Sequence, residues 1–187
     1  MPERSTTVTR EQILATALEL FTVHGYDATS LRQIADRLGF TKAALYYHFP
    51  AKEHLAIELT RPWLDAISNL ITLDEPSGSP SVDAADRRAR LLSDYVDIWI
   101  SHHAVLRFLS QDIAAMRHPD IGKRARALIL ALQAALIGPE DDDAARTRVV
   151  CAMGVVHSIG LLDEASLSAA RPIVIDAAVS VLDAEAS

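Results

Sequence analysis

The chain has 187 residues, half of them hydrophobic, and a net charge of -7 at pH 7. This length suits one domain of moderate size or a small domain joined to a larger one, and the 7 glycines and 8 prolines are few enough to favour helices over a turn-rich β fold. A single cysteine, Cys151, excludes an internal disulfide and a cysteine-based zinc cluster. The chain contains no uninterrupted run of about 18 apolar residues, so no membrane span is expected. With a start that lacks a secretory signal, these features lead us to expect a cytoplasmic protein.

The charge is unevenly distributed along the chain. Residues 1–52 carry six Lys and Arg against five acids, whereas residues 53–187 carry 12 against 20. An acidic body argues against a nucleic-acid groove that runs over the whole protein. It leaves room for a local contact made by the N-terminal segment.

Capping signals predict two helices at the start of the chain. A capping box that begins at Thr9 opens the first helix, over about residues 10–24. The second helix covers about residues 30–38, and either Thr29 or Ser30 caps it. Apolar residues at helical spacing give each helix one buried face.

A third, very short helix follows after a tight turn. Gly39 ends the second helix, Thr41 is a good N-cap, and the third helix covers about residues 42–48 before Pro50 stops it. Two short helices joined by a turn that contains glycine are typical of a helix-turn-helix.

The rest of the chain also predicts helices, so the fold class is all-α with about nine of them. Pro62 is expected to kink the fourth helix because it removes an intrahelical donor. The remaining helices are expected at about residues 51–72, 82–102, 104–116, 119–137, 142–162 and 168–184.

The third helix carries side chains that suit DNA. A recognition helix lies in the major groove and reads base edges with its N-terminal residues, which here are Thr41, Lys42 and Ala43. Lysine donates to guanine acceptors, and a small alanine allows a close approach. Polar side chains that could reach phosphates, and so position the protein, are Arg32, Tyr46, Tyr47, His48 and Lys52. Since many helical proteins contain such a turn, spacing alone leaves a purely structural role equally open.

The first quarter of the chain also resembles a known family. The resemblance is carried by two stretches, ILATALELFTVHGYDATSLRQIADRLG and FTKAALYYHFPAKEHL. The span Thr9–Leu55 resembles the DNA-binding domain of the TetR family of transcriptional regulators. The resemblance implies a DNA-binding domain over residues 1–52, and a homodimer on a near-palindromic operator. It implies DNA contacts at the matching positions Arg32, Thr41, Lys42, Ala43, Tyr46, Tyr47, His48 and Lys52. Ala51 departs from the family, which usually has a capping serine there; alanine at an N-cap costs about 1 kcal/mol.

The same resemblance implies that residues 53–187 hold a ligand pocket and the dimer interface. The layout would put the pocket among the fourth to eighth helices. Apolar cavities with a few polar groups are typical of small-molecule sites, and the candidates of this kind are Trp63, Tyr95, Trp99, His102, His103, Phe108, Gln111, Met116 and His157. The alternative is ordinary core packing, which Tyr95 and Trp99 favour because they lie one helical turn apart.

No cofactor, metal site or catalytic centre is expected. His102 and His103 are adjacent on a helix and point about 100° apart, so they do not suit one ion. Cys151 and His157 lie on different helix faces and form no nucleophile pair. The chain is therefore not expected to be an enzyme.

Two segments near the C-terminus, residues 149–162 and 172–182, are apolar almost all round. Such helices must be covered on every side. They resemble the family's last two helices, which pair across a two-fold axis; a large monomer core is the alternative. Small residues that would allow close helix approach are Ala152, Gly154, Ser158, Ala177 and Ala178.

The expected function is a ligand-responsive transcriptional regulator, a repressor that a small molecule releases from its operator. Two recognition helices about 34–36 Å apart would enter successive major grooves. A ligand would shift the fourth helix and so change that spacing, through its different affinity for the two states. An activator, or a regulator of the same fold that needs no ligand, is the alternative.

Overall fold

The computed structural model describes residues 9–74, 84–111, 118–137 and 142–184. Within these ranges the chain forms nine α-helices and no strand, which confirms the predicted all-α class. The helices are α1 (Arg10–His24), α2 (Leu31–Leu38), α3 (Lys42–His48), α4 (Lys52–Leu73), α5 (Ala84–Ser101), α6 (His103–Gln111), α7 (Pro119–Ile137), α8 (Asp143–His157) and α9 (Leu167–Leu182). Two short 3₁₀ segments, Ser158–Leu161 and Glu164–Ser166, connect α8 with α9.

The chain divides into two compact units. The first unit runs up to Arg61 and adds Arg107–Gly122, and the second comprises Pro62–Leu106 and the chain from Lys123 onward. Helices α4 and α7 therefore contribute residues to both units. The division falls inside α4, next to its internal proline, whereas the sequence places a domain boundary at the first residue of that helix.

Side-chain caps set the starts of the first three helices. The hydroxyls of Thr9, Ser30 and Thr41 each accept a hydrogen bond from the backbone N–H three residues later, at 3.2–3.3 Å. Ser30, and not Thr29, caps α2; the Thr29 hydroxyl instead donates to the Gly25 carbonyl at 2.8 Å. These local bonds satisfy N–H groups that a helix start leaves without partners.

Gly39 makes the turn between α2 and α3. Its backbone is left-handed, with φ 70° and ψ 26°, and its N–H bonds back to the end of α2. Because L-residues with a Cβ disfavour this conformation, glycine allows α3 to begin three residues later, at Lys42.

The core of the first unit consists of apolar side chains from α1 to α4. Those with less than 2 % exposure include Ile13, Ala17, Phe21, Ile34, Leu45, Phe49 and Leu55. Phe21 also lies 5.1 Å from Tyr26 and 5.4 Å from Phe108, between ring centroids. Each fully buried Ile, Leu or Phe side chain contributes about 1.5–3 kcal/mol, so this small core holds α3 in place.

The second unit packs α9 against α8 and α5. Its fully buried side chains include Leu92, Tyr95, Leu132, Val156 and Ala178. Helix α8 ends at His157 and continues as a 3₁₀ segment, where the sequence predicts one helix to about residue 162. A Cβ at Gly160 would come within 3.2 Å of the Trp99 ring, so this position lies close against α5.

Helix α9 belongs to a segment that is apolar on most sides. By length and composition alone, Glu164–Leu182 could cross a membrane, a test that core helices of soluble proteins also pass. Only 22 % of the tested window is buried within the chain. Much of its apolar surface therefore remains uncovered in a single copy.

Candidate nucleic-acid interface

Helix α3 has a buried face and an open face. Leu45 and Phe49, four residues apart, are both fully buried. On the other side Tyr47 is 87 % exposed and Tyr46 40 %. Core packing therefore explains the two apolar residues and does not explain Tyr47, because a phenol that is mostly in water contributes little to the core.

The open face of α3 presents a cation beside aromatic rings. Lys42 is exposed, and its ammonium lies 5.3 Å from the centre of the Tyr46 ring. The Tyr47 ring lies 5.6 Å from the His48 ring in an edge-on arrangement. An exposed cation–π contact contributes only about 0.5–1 kcal/mol, so Lys42 is free to turn toward a ligand. Thr41 and Ala43 are exposed next to it.

The start of α2 lies in the same unit and carries Arg32. This side chain is 79 % exposed and lies 3.7 Å from the Asp36 carboxylate, one turn further on. An exposed pair of this kind contributes about 0–1 kcal/mol. Arg32 is thus available for an anion at low energetic cost.

Lys52 has partners that the sequence did not predict. Its ammonium donates to the Tyr26 carbonyl at 2.6 Å, lies 3.4 Å from the Asp27 carbonyl, and is 4.2 Å from the centre of the Tyr26 ring. These contacts tie the first residue of α4 to the turn between α1 and α2. The predicted phosphate contact would have to compete with them for the same ammonium.

Arg10 is a further connecting residue, and no sequence motif marks it. One nitrogen lies 3.1 Å from the Glu58 carboxylate, another donates to the His48 carbonyl at 3.4 Å, and the guanidinium stacks 4.4 Å from the Phe49 ring centre. It joins the start of α1 to the end of α3 and to α4. No local sequence pattern predicts these contacts, since His48 is 38 residues away from Arg10 in the chain.

Three of the predicted pocket residues meet in the second unit. The Tyr95 hydroxyl and His157 Nε2 are 2.9 Å apart, and the His157 ring lies 4.8 Å from the Trp99 ring. Burial raises the pKa of Tyr95, so its hydroxyl stays protonated. Burial lowers the pKa of His157, although much of the residue is open to solvent, because its ring packs on these neighbours.

The other predicted pocket residues are dispersed. Trp63 is buried, and its Nε1 has no hydrogen-bond partner among the described residues. His103 is buried with Nε2 3.0 Å from the Leu162 carbonyl, and His102 Nδ1 lies 2.9 Å from the carbonyl of Ile98.

Phe108 belongs to the aromatic core of the first unit. The Gln111 side chain and Met116 lie outside the described residues. The nine candidates therefore do not form one site in the part of the chain that the structure describes.

Two clefts in the second unit have volumes of about 500 and 450 Å³. Neither is lined by any of the predicted pocket residues. Both lie along α7 and α8, and the larger also reaches α5 and α9. No group of three or more His, Cys, Asp or Glu side chains among the described residues could hold a metal ion.

Comparisons with known proteins point to one group of regulators. Residues 13–59 match the profile of a family described as bacterial regulatory proteins, tetR family. The biofilm operon negative transcriptional regulator IcaR of Staphylococcus aureus is 33 % identical over 75 residues, which cover 40 % of each protein. The transcriptional regulator LmrA of Bacillus subtilis is 54 % identical over 50 residues, or 26 % of this chain and 27 % of that protein. These matches thus span less than half of either relative.

Solved structures resemble the whole chain. The Mycobacterium smegmatis AmtR structure is 26 % identical, covers 100 % of this chain and 92 % of its own, and has a TM-score of 0.72. The TetR-family regulator PfmR of Thermus thermophilus is 21 % identical over 94 % of this chain and 99 % of its own, also with a TM-score of 0.72. Because PfmR is only 21 % identical, its similarity to this chain concerns the fold alone.

Proposed function

Because the chain belongs to the TetR family of bacterial regulatory proteins, we propose that it is a transcriptional repressor that binds a near-palindromic operator as a homodimer and leaves it when a small molecule binds. The observation that carries the proposal is the open face of α3, on which exposed Lys42, Tyr46 and Tyr47 stand opposite the fully buried Leu45 and Phe49. A helix of this kind can enter a major groove without loss of its own core.

The proposed DNA contacts fall into two groups. Lys42, with Thr41 and Ala43 beside it at the start of α3, would meet base edges. Arg32 and the polar tips of α3 would meet phosphates, which position the protein without reading sequence. The acidic charge of residues 53–187 would keep non-specific DNA contact local to the first unit.

The exposed apolar surface of the last two helices supports the homodimer. Val150 on α8 is 56 % exposed, Ile173 on α9 is 69 % exposed, and Leu161 between them is 84 % exposed. Of the small residues proposed for the interface, Ala152 and Ala178 are buried within the chain itself. The exposed small residues that would allow close approach of a second copy are then Gly154 and Ser158.

A buried polar group of the second unit supports a small-molecule effector. Trp63 Nε1 is buried without a hydrogen-bond partner among the described residues. A buried unpaired donor costs about 1–3 kcal/mol, and an effector with an acceptor oxygen would supply the missing partner. Trp63 lies on α4, so an effector bound to its indole N–H would act on a helix that contributes residues to both units.

Footprinting on DNA next to the protein's own gene tests the proposal. The expected result is one protected, near-palindromic site. Tyr47→Phe removes only an exposed hydroxyl and should weaken protection by about fivefold if it contacts a phosphate. Leu73→Ala alters a comparably exposed residue on α4 and should change nothing. Protection of random DNA to the same extent, or equal effects of both variants, would contradict the proposal.

A thermal-shift screen of small molecules tests the effector. A ligand present at 100 times its Kd adds about 2.7 kcal/mol of stability, and the same ligand should reduce DNA protection. A ligand that stabilises the protein yet leaves operator affinity unchanged would argue for a regulator whose DNA binding is independent of that ligand.

A further inference from the structure

Glu58 is the residue of α4 at which two arginines of the first unit meet. It lies in the second turn of α4, at the edge of a buried face that includes Leu55 and Leu59. Its side chain is only 18 % exposed. Arg10 lies 3.1 Å from one oxygen of its carboxylate, and Arg61 contacts the other oxygen. A carboxylate that is largely removed from water is stable only with charged partners of this kind.

Arg10 extends this contact to the last turn of α3. One of its nitrogens donates to the His48 carbonyl at 3.4 Å, and its guanidinium carbon lies 4.4 Å from the centre of the Phe49 ring. The bond to the carbonyl is long, and the Arg10 side chain is 47 % exposed. A long, half-exposed side chain has many rotamers of similar energy, so these two contacts need the ion pair with Glu58 to keep the guanidinium in one place.

The last turn of α3 depends on contacts from outside the helix. The helix has only seven residues, and helices of this length are not stable in water without tertiary contacts. Leu45 and Phe49 fix its inward side because both are fully buried. Arg10 supplies a donor to a carbonyl at its C-terminal end, where carbonyl groups have no partner within the helix. The direction of the open face therefore depends on the place of this guanidinium as well as on the core.

The charge of Glu58 has an opposite effect on DNA binding by itself. A carboxylate in the unit that meets DNA repels phosphates, so its removal would strengthen the general attraction between protein and DNA. A role of Glu58 in holding α3 gives the reverse expectation, because the loss of the carboxylate would release Arg10 and weaken operator binding. The two roles thus differ in the sign of the change.

We propose that Glu58 is a positioning residue for α3: its carboxylate holds Arg10 on the last turn of that helix and so fixes the direction in which the open face meets DNA. The inference rests on the proposed operator binding. Because Glu58 belongs to α4, a displacement of α4 moves the carboxylate and changes its hold on α3, which gives α4 a direct means to alter DNA affinity.

Operator titrations by fluorescence anisotropy with Glu58→Gln test the proposal. Glutamine keeps the size of the side chain and leaves two guanidinium groups facing one neutral amide. Operator affinity is expected to fall about fivefold, the upper range for a single partly exposed ion pair. Glu19→Gln makes the same charge change in the pair with Arg37, which joins α1 to α2 at the same 3.1 Å. This control should leave operator affinity unchanged or slightly higher.

The effect of Glu58→Gln should depend on Arg10. In an Arg10→Gln background there is no guanidinium to hold, so Glu58→Gln should cause no further loss of operator affinity. Hydrogen exchange provides a readout in the free protein. Glu58→Gln should accelerate exchange of the Phe49 amide, which bonds to the Leu45 carbonyl at 2.8 Å. The Ile34 amide on α2, which bonds to the Ser30 carbonyl at 3.2 Å, is the reference and should exchange as in wild type.

Failure of the proposed function and failure of this inference give different results. A wild-type protein without operator binding would contradict the proposed function. Operator binding by Glu58→Gln that equals or exceeds that of wild type would overturn the positioning role. So would the same loss in the presence and absence of Arg10, or a Phe49 amide that exchanges at the wild-type rate.

Discussion

Replacing Lys52 by methionine separates two roles for this residue. Methionine keeps an apolar stem of similar length and removes the ammonium that holds the Tyr26 and Asp27 carbonyls at 2.6 and 3.4 Å. A hydrogen bond from a charged donor contributes about 1.5–3 kcal/mol, and the lower end applies because Lys52 is only half-buried. About 1.5 kcal/mol shifts the equilibrium between the held and released turn roughly tenfold, so operator affinity falls by at most about tenfold.

The dependence on salt distinguishes a positioning role from a phosphate contact. If Lys52 only positions the turn before α2, wild type and Lys52→Met should differ by the same factor at 50 and 200 mM salt. If it binds a phosphate, the slope of log K against log salt falls by about 0.9, and the ratio of affinities changes about 3.5-fold over that range. Arg32→Gln, at an exposed position, is the matched control and should show the smaller slope.

Fluorescence anisotropy titrations with the operator provide these slopes, and hydrogen exchange provides a readout without DNA. In the free protein, Lys52→Met should accelerate exchange of the Thr29 amide, which bonds to the same Tyr26 carbonyl at 3.3 Å. Unchanged exchange together with a slope reduced by about 0.9 would refute the positioning role and restore the phosphate contact.

Four further outcomes are expected. Lys42→Ala should relax discrimination at one base pair of the operator, and a uniform loss across operator variants in binding assays would contradict that role. Gly39→Ala should lower stability by about 1–2 kcal/mol in chemical denaturation because its φ is 70°; an unchanged midpoint would show that the turn adapts. Sedimentation at micromolar concentration should show a dimer of the 20.4 kDa chain, and a clean monomer would argue against the homodimer. Because burial lowers the pKa of His157 in the folded state, its neutral form contributes stability above its unfolded pKa of about 6.5 that is lost as pH falls below it. The melting temperature should therefore fall less between pH 7.5 and 5 in His157→Gln than in wild type, and equal falls would rule out this contribution.

The local architecture of the first unit was accessible from the sequence. The capping box at Thr9, the cap of α2 at one of two neighbouring residues, the cap at Thr41 and the left-handed Gly39 join groups only a few residues apart. Their energies depend on short stretches of chain, so side-chain type and spacing are enough to predict them. The inward side of α3 also follows from the sequence, because Leu45 and Phe49 are four residues apart and therefore share one face of a helix.

The residues of the candidate ligand pocket could not be predicted in this way. Tyr95 and Trp99 were predicted to line a ligand pocket, with ordinary core packing as the alternative. The structure brings both against His157 on another helix. Phe108, predicted for the same pocket, packs instead with Phe21 in the first unit. An aromatic side chain gains similar free energy in either place, so composition could not assign it to one of them.

The sequence by itself determined most of the helices, the caps of α1 and α3, and the division of α3 into a buried and an open face, because these follow from interactions within one or two turns. Only the tertiary structure decided what the long cationic side chains do. Lys52 reaches a carbonyl 26 residues away, and Arg88 meets Asp183 95 residues away. A flexible ammonium or guanidinium can bond almost any acceptor. Which acceptor it finds, and which donor it leaves unused, depends on how the folded chain brings distant segments together.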